Sequence, residues 1–336
     1  MNAYIKAISY YLPEQVLTNE MLVTQFPEWS VEKVASKIGI QERRIAAPDE
    51  FVSDMAVKAG EALLQEYNIP ASDIDFVLLC TQSPDFCLPT TACLVQNKLG
   101  IPTNAGAIDF NLGCSGFVYG LAFAKGLIAG GIAKNILLIT SETYSKYLHP
   151  LDKGNRTIFG DAAAATLIST SGFAEIGQFE LGTDGRGAEN LIVRNGGSRA
   201  PRSAIPAEAT FDGNDPISPD CLYMNGSEIF NFTLESVPQL VKTTLSKNTL
   251  TDADIDLYVF HQANQYMLNF LRRKIGISEE KFFLYMSKVG NTVSSTIPIA
   301  LKAAMEDGKI KSDRDRVLLA GFGVGYSWGG CVLNFA

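Results

Sequence analysis

Apolar residues along the 336-residue chain fall into short blocks rich in β-branched side chains, separated by stretches with apolar positions at helical spacing. Residues 74–79 predict a buried strand, and 91–99 a helix set off by Pro89. Residues 105–110 predict a strand, Gly116–Ala129 a helix rich in small residues, and 134–140 another strand. The first nine residues also read as a strand, with no secretory pattern. Strand and helix in alternation predict an α/β fold around a central sheet.

The pattern occurs twice. Asp73-Ile74-Asp75-Phe76-Val77-Leu78-Leu79-Cys80 is echoed by Asp254-Ile255-Asp256-Leu257-Tyr258-Val259-Phe260-His261. A helix follows each, closing on Lys98-Leu99-Gly100-Ile101 or Lys274-Ile275-Gly276-Ile277. Then come a strand and a sharp turn: Asn111-Leu112-Gly113-Cys114 in one copy, Lys288-Val289-Gly290-Asn291 in the other. Asp73 and Asp254, Lys98 and Lys274, and Cys114 and Asn291 stand 181, 176 and 177 residues apart. Single echoes arise by chance, whereas an ordered series at nearly constant offset does not. The chain therefore divides into two related halves, 1–170 and 171–336. The repeat matches Cys114 with Asn291 and Cys80 with His261, and packing about a pseudo-two-fold axis would bring these turns to one site. The intervening stretch 195–220 is too long for a simple connection and predicts a lid, a pocket wall or disorder.

Composition narrows the possible chemistry. Hydrophobic residues make up 46% and charged residues 19%, which excludes a disordered chain or a coiled coil. Lys and Arg number 28 against 36 Asp and Glu, a net charge of −8, so nucleic acid is not an expected partner. No apolar run reaches membrane-spanning length, so no membrane association is expected. The six cysteines lack zinc spacing and there are two histidines, so no metal or cofactor is expected. Reduced thiols suit a cytoplasmic protein.

Cys114 sits at a strand–turn–helix junction among Gly113, Ser115 and Gly116, which permit a tight elbow. The amino terminus of the following helix is expected to favour the thiolate. A free cysteine is usually a small buried hydrophobe, and Cys80, Cys93, Cys221 and Cys331 are read that way. His261 ends an apolar strand, where open α/β folds place ligands, although a structural histidine would look the same. Asn291 alone is an ordinary turn or helix-cap residue. His149, before Pro150, reads as a surface residue.

Cys, His and Asn in this order at matched turns resemble the β-ketoacyl-acyl carrier protein synthase III family of the thiolase-like superfamily. Further motifs carry the resemblance: Leu12-Pro13-Glu14, Gly39-Ile40-Gln41-Glu42-Arg43, Cys114-Ser115-Gly116-Phe117, Phe159-Gly160-Asp161, Asp184-Gly185, Gly226-Ser227-Glu228-Ile229-Phe230, His261-Gln262-Ala263-Asn264, Gly290-Asn291-Thr292 and Phe322-Gly323. It implies duplicated α/β halves in a five-layered α-β-α-β-α arrangement. It implies that Cys114 accepts an acyl group from acyl-CoA or an acyl-carrier protein, and that His261 and Asn291 assist decarboxylation of a malonyl-acyl carrier protein. The amide of Cys114 and the segment Phe322, Gly323, Val324 would supply the oxyanion hole and malonyl cavity. Leu88, Phe159, Leu222, Phe230 and Asn264 would shape the substrate pocket. Lys37, Lys153, Arg272, Arg273 and Lys274 would dock CoA or a carrier, and the chain would form a homodimer.

Departures from the family pattern occur at the oxyanion segment and the pocket mouth. Val324 interrupts a run of three glycines. Trp29 lies about four residues too far from Gly39 to occupy the family's adenine-clamp position, Lys37 and Lys153 replace arginines, and Tyr266 replaces a basic residue. Replacing Arg by Lys keeps charge but loses planar stacking. These departures motivate an alternative: an acyltransferase of the same fold passing the acyl group to an alcohol or amine without decarboxylation. A non-catalytic partner subunit would have no need of Cys114, His261 and Asn291 together.

Overall fold

The computed structural model describes residues 1–212, 215–311 and 313–336. One nine-stranded sheet organises the chain. Its strands are β1 (Tyr4–Tyr11), β2 (Phe76–Cys80), β3 (Gly106–Phe110), β4 (Asn135–Glu142), β5 (Ala162–Ser169), β6 (Ala174–Thr183), β7 (Leu257–Phe260), β8 (Arg316–Gly323) and β9 (Ser327–Phe335). They lie in the order β7-β8-β9-β6-β1-β5-β4-β2-β3. Outward from the centre, β1-β5-β4-β2 and β6-β9-β8-β7 show the same pairing: antiparallel, antiparallel, then parallel. The two sets meet through a two-residue ladder, Tyr4 with Glu175 and Ile5 with Ala174.

β3 has no full counterpart beyond β7. The strand expected before Asn291 shrinks to one parallel bridge, Tyr258 with Phe282. A short helical turn at Glu279–Lys281 leads in, and the amide of Phe283 bonds the carbonyl of Tyr258 at 3.0 Å. Phe282, Phe283 and Met286 are buried, anchoring the segment by packing where the ladder ends.

Two helices lie between the sheet halves: α3 (Gly116–Ala129) and α6 (Thr296–Glu306). Nine of the eleven residues of α6 are buried, as befits a helix enclosed on both sides. Gly120 of α3 is small for a steric reason: a Cβ there would come within 2.5 Å of Leu138 on β4. The helices α1 (Val52–Glu66) and α2 (Thr91–Lys98) cover one outer face, and α4 (Gly226–Lys247) and α5 (Gln265–Ile275) the other. The result is the expected five-layer α/β arrangement. No described helix is long and apolar enough to cross a membrane.

The stretch 195–220 forms a wall rather than an open loop. Gly197 bridges Ala200, and Thr210–Asp212 pairs with Asp215–Ile217. Asn195, Gly196, Gly197 and Arg202 line a cavity. Residues 213 and 214 of this stretch lie outside the described residues. Cys80 and Cys331 are buried as expected, but Cys93 is exposed and Cys221 half-buried. His149 is also half-buried, its Nδ1 accepting the Leu151 amide at 3.2 Å.

Candidate active site

Cys114 lies between β3 and α3, one residue before the helix cap Ser115. The amide of Gly116 bonds the carbonyl of Gly113 at 2.8 Å, closing the elbow. The end of β8 packs directly on it: a Cβ on Gly321 would stand 2.8 Å from the Cys114 carbonyl, and one on Gly323 2.9 Å from its Sγ. Val324 falls on the alternate side of the chain, against Gly113 and the larger cavity. Its φ lies outside the left-handed region, so the position does not require glycine. The backbone N–H groups of Val324 and of Cys114 itself lie near the sulfur and favour its thiolate.

The expected lowering of the thiol pKa is not found. Burial, joined by the nearby charge of Glu142, pushes Cys114 up to about 12, outweighing those amides. The resting nucleophile is a neutral thiol.

His261 follows β7, its amide bonding the carbonyl of Ala320 at 2.8 Å. The ring is buried, edge-on to Phe322 with centroids 5.8 Å apart. Burial pushes its pKa down to about 3, so the ring is neutral at ordinary pH. Nδ1 lies 2.8 Å from the Thr296 hydroxyl, which also reaches the Val293 carbonyl at 2.9 Å. Thr296 begins α6 and carries no signal in its own sequence neighbourhood.

Asn291 is held through its backbone. Its amide bonds the carbonyl of Ile158 at 2.9 Å, and its carbonyl accepts from Gly160 at 3.0 Å. Its Oδ1 accepts from the Val293 amide at 2.9 Å, while Nδ2 has only a long contact of 3.5 Å to the Ala263 carbonyl. The amide group is thus oriented with its donor end weakly engaged. Val293 has a φ of +56°, a conformation that a β-branched residue adopts at a cost of about 1–3 kcal/mol. Bonds to Asn291 and Thr296 on either side of it hold this turn.

Cys114, His261 and Asn291 line one cavity of about 170 Å³, together with Phe159, Asn264, Phe322 and Gly323. Leu191, Met224, Ile229 and Met267 complete its apolar wall and were not anticipated from the sequence. Leu222 packs in the cluster that contains Cys114 and Phe159, and lines an adjoining cavity of about 710 Å³ with Tyr144 and Val324. Two expected pocket residues stand elsewhere. Leu88 is 83% exposed on the loop before α2, so this chain's own cavity does not use it. Phe230 stacks on Tyr266, with centroids 6.0 Å apart, instead of lining the cavity.

The basic residues also divide. Lys153 forms an ion pair with Glu28, beside Trp29. Arg272 donates to the Ile277 carbonyl at 3.3 Å and to Glu279 at 3.2 Å. Lys37, Arg273 and Lys274 are exposed. Among the described residues no cluster of His, Cys, Asp and Glu has the grouping of a metal site.

A cysteine at a strand–helix elbow, with histidine and asparagine on turns of a duplicated five-layer fold, defines a thiolase-like condensing enzyme. The chain belongs to the β-ketoacyl-[acyl-carrier-protein] synthase III family, whose members are acyl-transferring condensing enzymes. The family models for 3-oxoacyl-[acyl-carrier-protein (ACP)] synthase III and its C-terminal part match residues 108–185 and 245–335. The β-ketoacyl-[acyl-carrier-protein] synthase III of Natranaerobius thermophilus is 37% identical over 340 residues, covering 99% of both chains. A crystal structure of a 3-oxoacyl-(acyl-carrier-protein) synthase III is 49% identical, with a TM-score of 0.96 and full coverage of both chains. The 3-oxoacyl-(acyl-carrier protein) synthase of Burkholderia xenovorans LB400 superimposes with a TM-score of 0.89 at 35% identity, covering 100% of this chain and 95% of the other.

Proposed function

We propose that Cys114 is the nucleophile of a decarboxylative condensation in which His261 and Asn291 stabilise the carbanion equivalent. The carrying observation is that these three residues, from separate turns, line one cavity with the Val324 and Cys114 amides at the sulfur. In the first half-reaction the Cys114 thiol attacks an acyl thioester, from CoA or an acyl-carrier protein. A new thioester forms, the donor C–S bond breaks, and the thiol proton ends on the released donor thiol. In the second, a malonyl-acyl carrier protein loses CO₂, and its electron pair passes into the thioester carbonyl as an enolate. The enolate attacks acyl-Cys114, a C–C bond forms, and the departing Cys114 thiolate takes a proton.

Asn291 Nδ2 and His261 Nε2 are the donors for the enolate oxygen in this reading. A neutral imidazole donates from Nε2 when Nδ1 is the unprotonated nitrogen, and the Thr296 hydroxyl, 2.8 Å from Nδ1, supports that tautomer when its one proton turns from the Val293 carbonyl to the ring. Thr296→Val, which keeps the shape and removes the hydroxyl, is expected to slow malonyl-dependent CO₂ release about tenfold while sparing acylation of Cys114. Single-turnover measurement of each half-reaction checks this, and Thr296→Ser is expected to restore the rate. Lys37, Arg273 and Lys274 are the exposed cations available to an acidic carrier or CoA, and the assembly is a homodimer in this reading.

The test is to supply acyl donor and malonyl-acyl carrier protein and follow CO₂ and the β-ketoacyl product. Acyl transfer to an alcohol or amine without CO₂ would instead establish the non-decarboxylating acyltransferase.

A further inference from the structure

Glu142 ends β4 with no exposed surface, and no Lys or Arg is paired with it among the described residues. Burial raises this carboxyl to about 8, so it is largely protonated at neutral pH and ionises above that. Both of its oxygens lie 3.1 Å from the Gln82 amide, Oε2 accepts from the Ser83 hydroxyl at 3.0 Å, and Oε1 from the Ser294 hydroxyl at 3.1 Å. These donors belong to two separate turns.

Gln82 backs the nucleophile: its Oε1 lies 2.6 Å from where a Cβ on Gly113 would stand, and it accepts from the Tyr144 hydroxyl at 3.2 Å. Ser294 lies in the strained turn between Asn291 and α6, and its Cβ is 3.6 Å from where a Cβ on Gly116 would stand. One carboxylate therefore joins the turn behind Cys114 to the turn that carries Asn291.

We propose that Glu142 is a positioning residue for the condensation, fixing the Cys114 elbow against the Asn291 turn through its buried carboxylate. The inference rests on the roles proposed above for Cys114 and Asn291. Above about pH 8, where Glu142 ionises, its charge has a second consequence. Glu142 faces Cys80 and Cys114, Tyr144 and Tyr147, and Asp161 at the entrance to β5. Like charges oppose one another, so a carboxylate at 142 disfavours the Cys114 thiolate.

Two variants separate geometry from charge. Glu142→Gln sets an amide NH₂ group against one of the three donors and, above about pH 8, also removes the charge. Its condensation rate from pre-formed acyl-enzyme is expected to fall about tenfold. The midpoint of the iodoacetamide pH profile at Cys114 is expected to move down by about one pH unit. Ser294→Ala cuts one bond and keeps the charge, so condensation is expected to slow while the alkylation profile stays in place. Thermal unfolding identifies any variant that does not fold, and Ser294→Ala then carries the test of geometry alone. An unchanged condensation rate in the folded variants overturns the inference. Failure of the unmodified enzyme to form an acyl-Cys114 adduct overturns the proposed function instead.

Discussion

Cys114→Ala is expected to abolish the acyl adduct and lower turnover by roughly 10⁴-fold or more, since no other group in the cavity can take its covalent role. The side chain is 7% exposed in a well-packed elbow, and alanine fits the same space, so folding is expected to survive. Intact-mass spectrometry after incubation with acyl donor reads the result directly: wild type gains the mass of the acyl group and the variant does not. Persistence of a full adduct in Cys114→Ala would place the nucleophile elsewhere. Cys80 is the nearby alternative, but its Sγ is already tied to the Leu112 carbonyl at 3.1 Å and it has no exposed surface.

Asn291→Ala is expected to separate the half-reactions. Acylation uses the thiol and the amides of Cys114 and Val324, none of which the substitution touches. Decarboxylation loses a hydrogen-bond donor at the developing enolate, a loss of about 10²–10³-fold. The variant also loses the Oδ1 bond to the Val293 amide, which helps hold a strained turn, so stability is expected to fall by about 1 kcal/mol. Acyl-enzyme should therefore accumulate on adding malonyl-acyl carrier protein. Equal loss of acylation and decarboxylation would contradict the role assigned to Asn291 and point to collapse of the turn.

Most of the frame was legible in the sequence because it rests on periodic burial. The span Gly116–Ala129 is apolar or small apart from Lys125 and forms the central helix α3 as read. The repeat matched 76–80 with 257–260 and 135–139 with 317–320, and these strands, β2 with β7 and β4 with β8, stand at equivalent places in the sheet order. The strand expected before Asn291 in the second copy does not form: only Phe282 and Phe283 reach β7 before the chain turns inward.

Legibility ended where function depends on contacts between distant segments. Glu142 and Thr296 carry no signal in the sequence, and their partners lie up to 152 and 35 residues away. Leu88 was assigned by its place in a motif, but the loop turns it to the surface. The thiol of Cys114 was expected to acidify because a helix follows it. Enclosure on all sides and the charge of Glu142, neither visible in a linear string, reverse the direction. At Val324 the departure from glycine looked consequential, but its φ lies outside the left-handed region and its side chain packs against Gly113.

The most direct test follows the unmodified protein by intact-mass spectrometry with a panel of acyl-CoA and acyl-carrier donors, then adds malonyl-acyl carrier protein. The prediction is an adduct on Cys114 that disappears with release of CO₂ and appearance of a β-ketoacyl product. An adduct that persists with no CO₂ released, or no adduct with any donor, would contradict it.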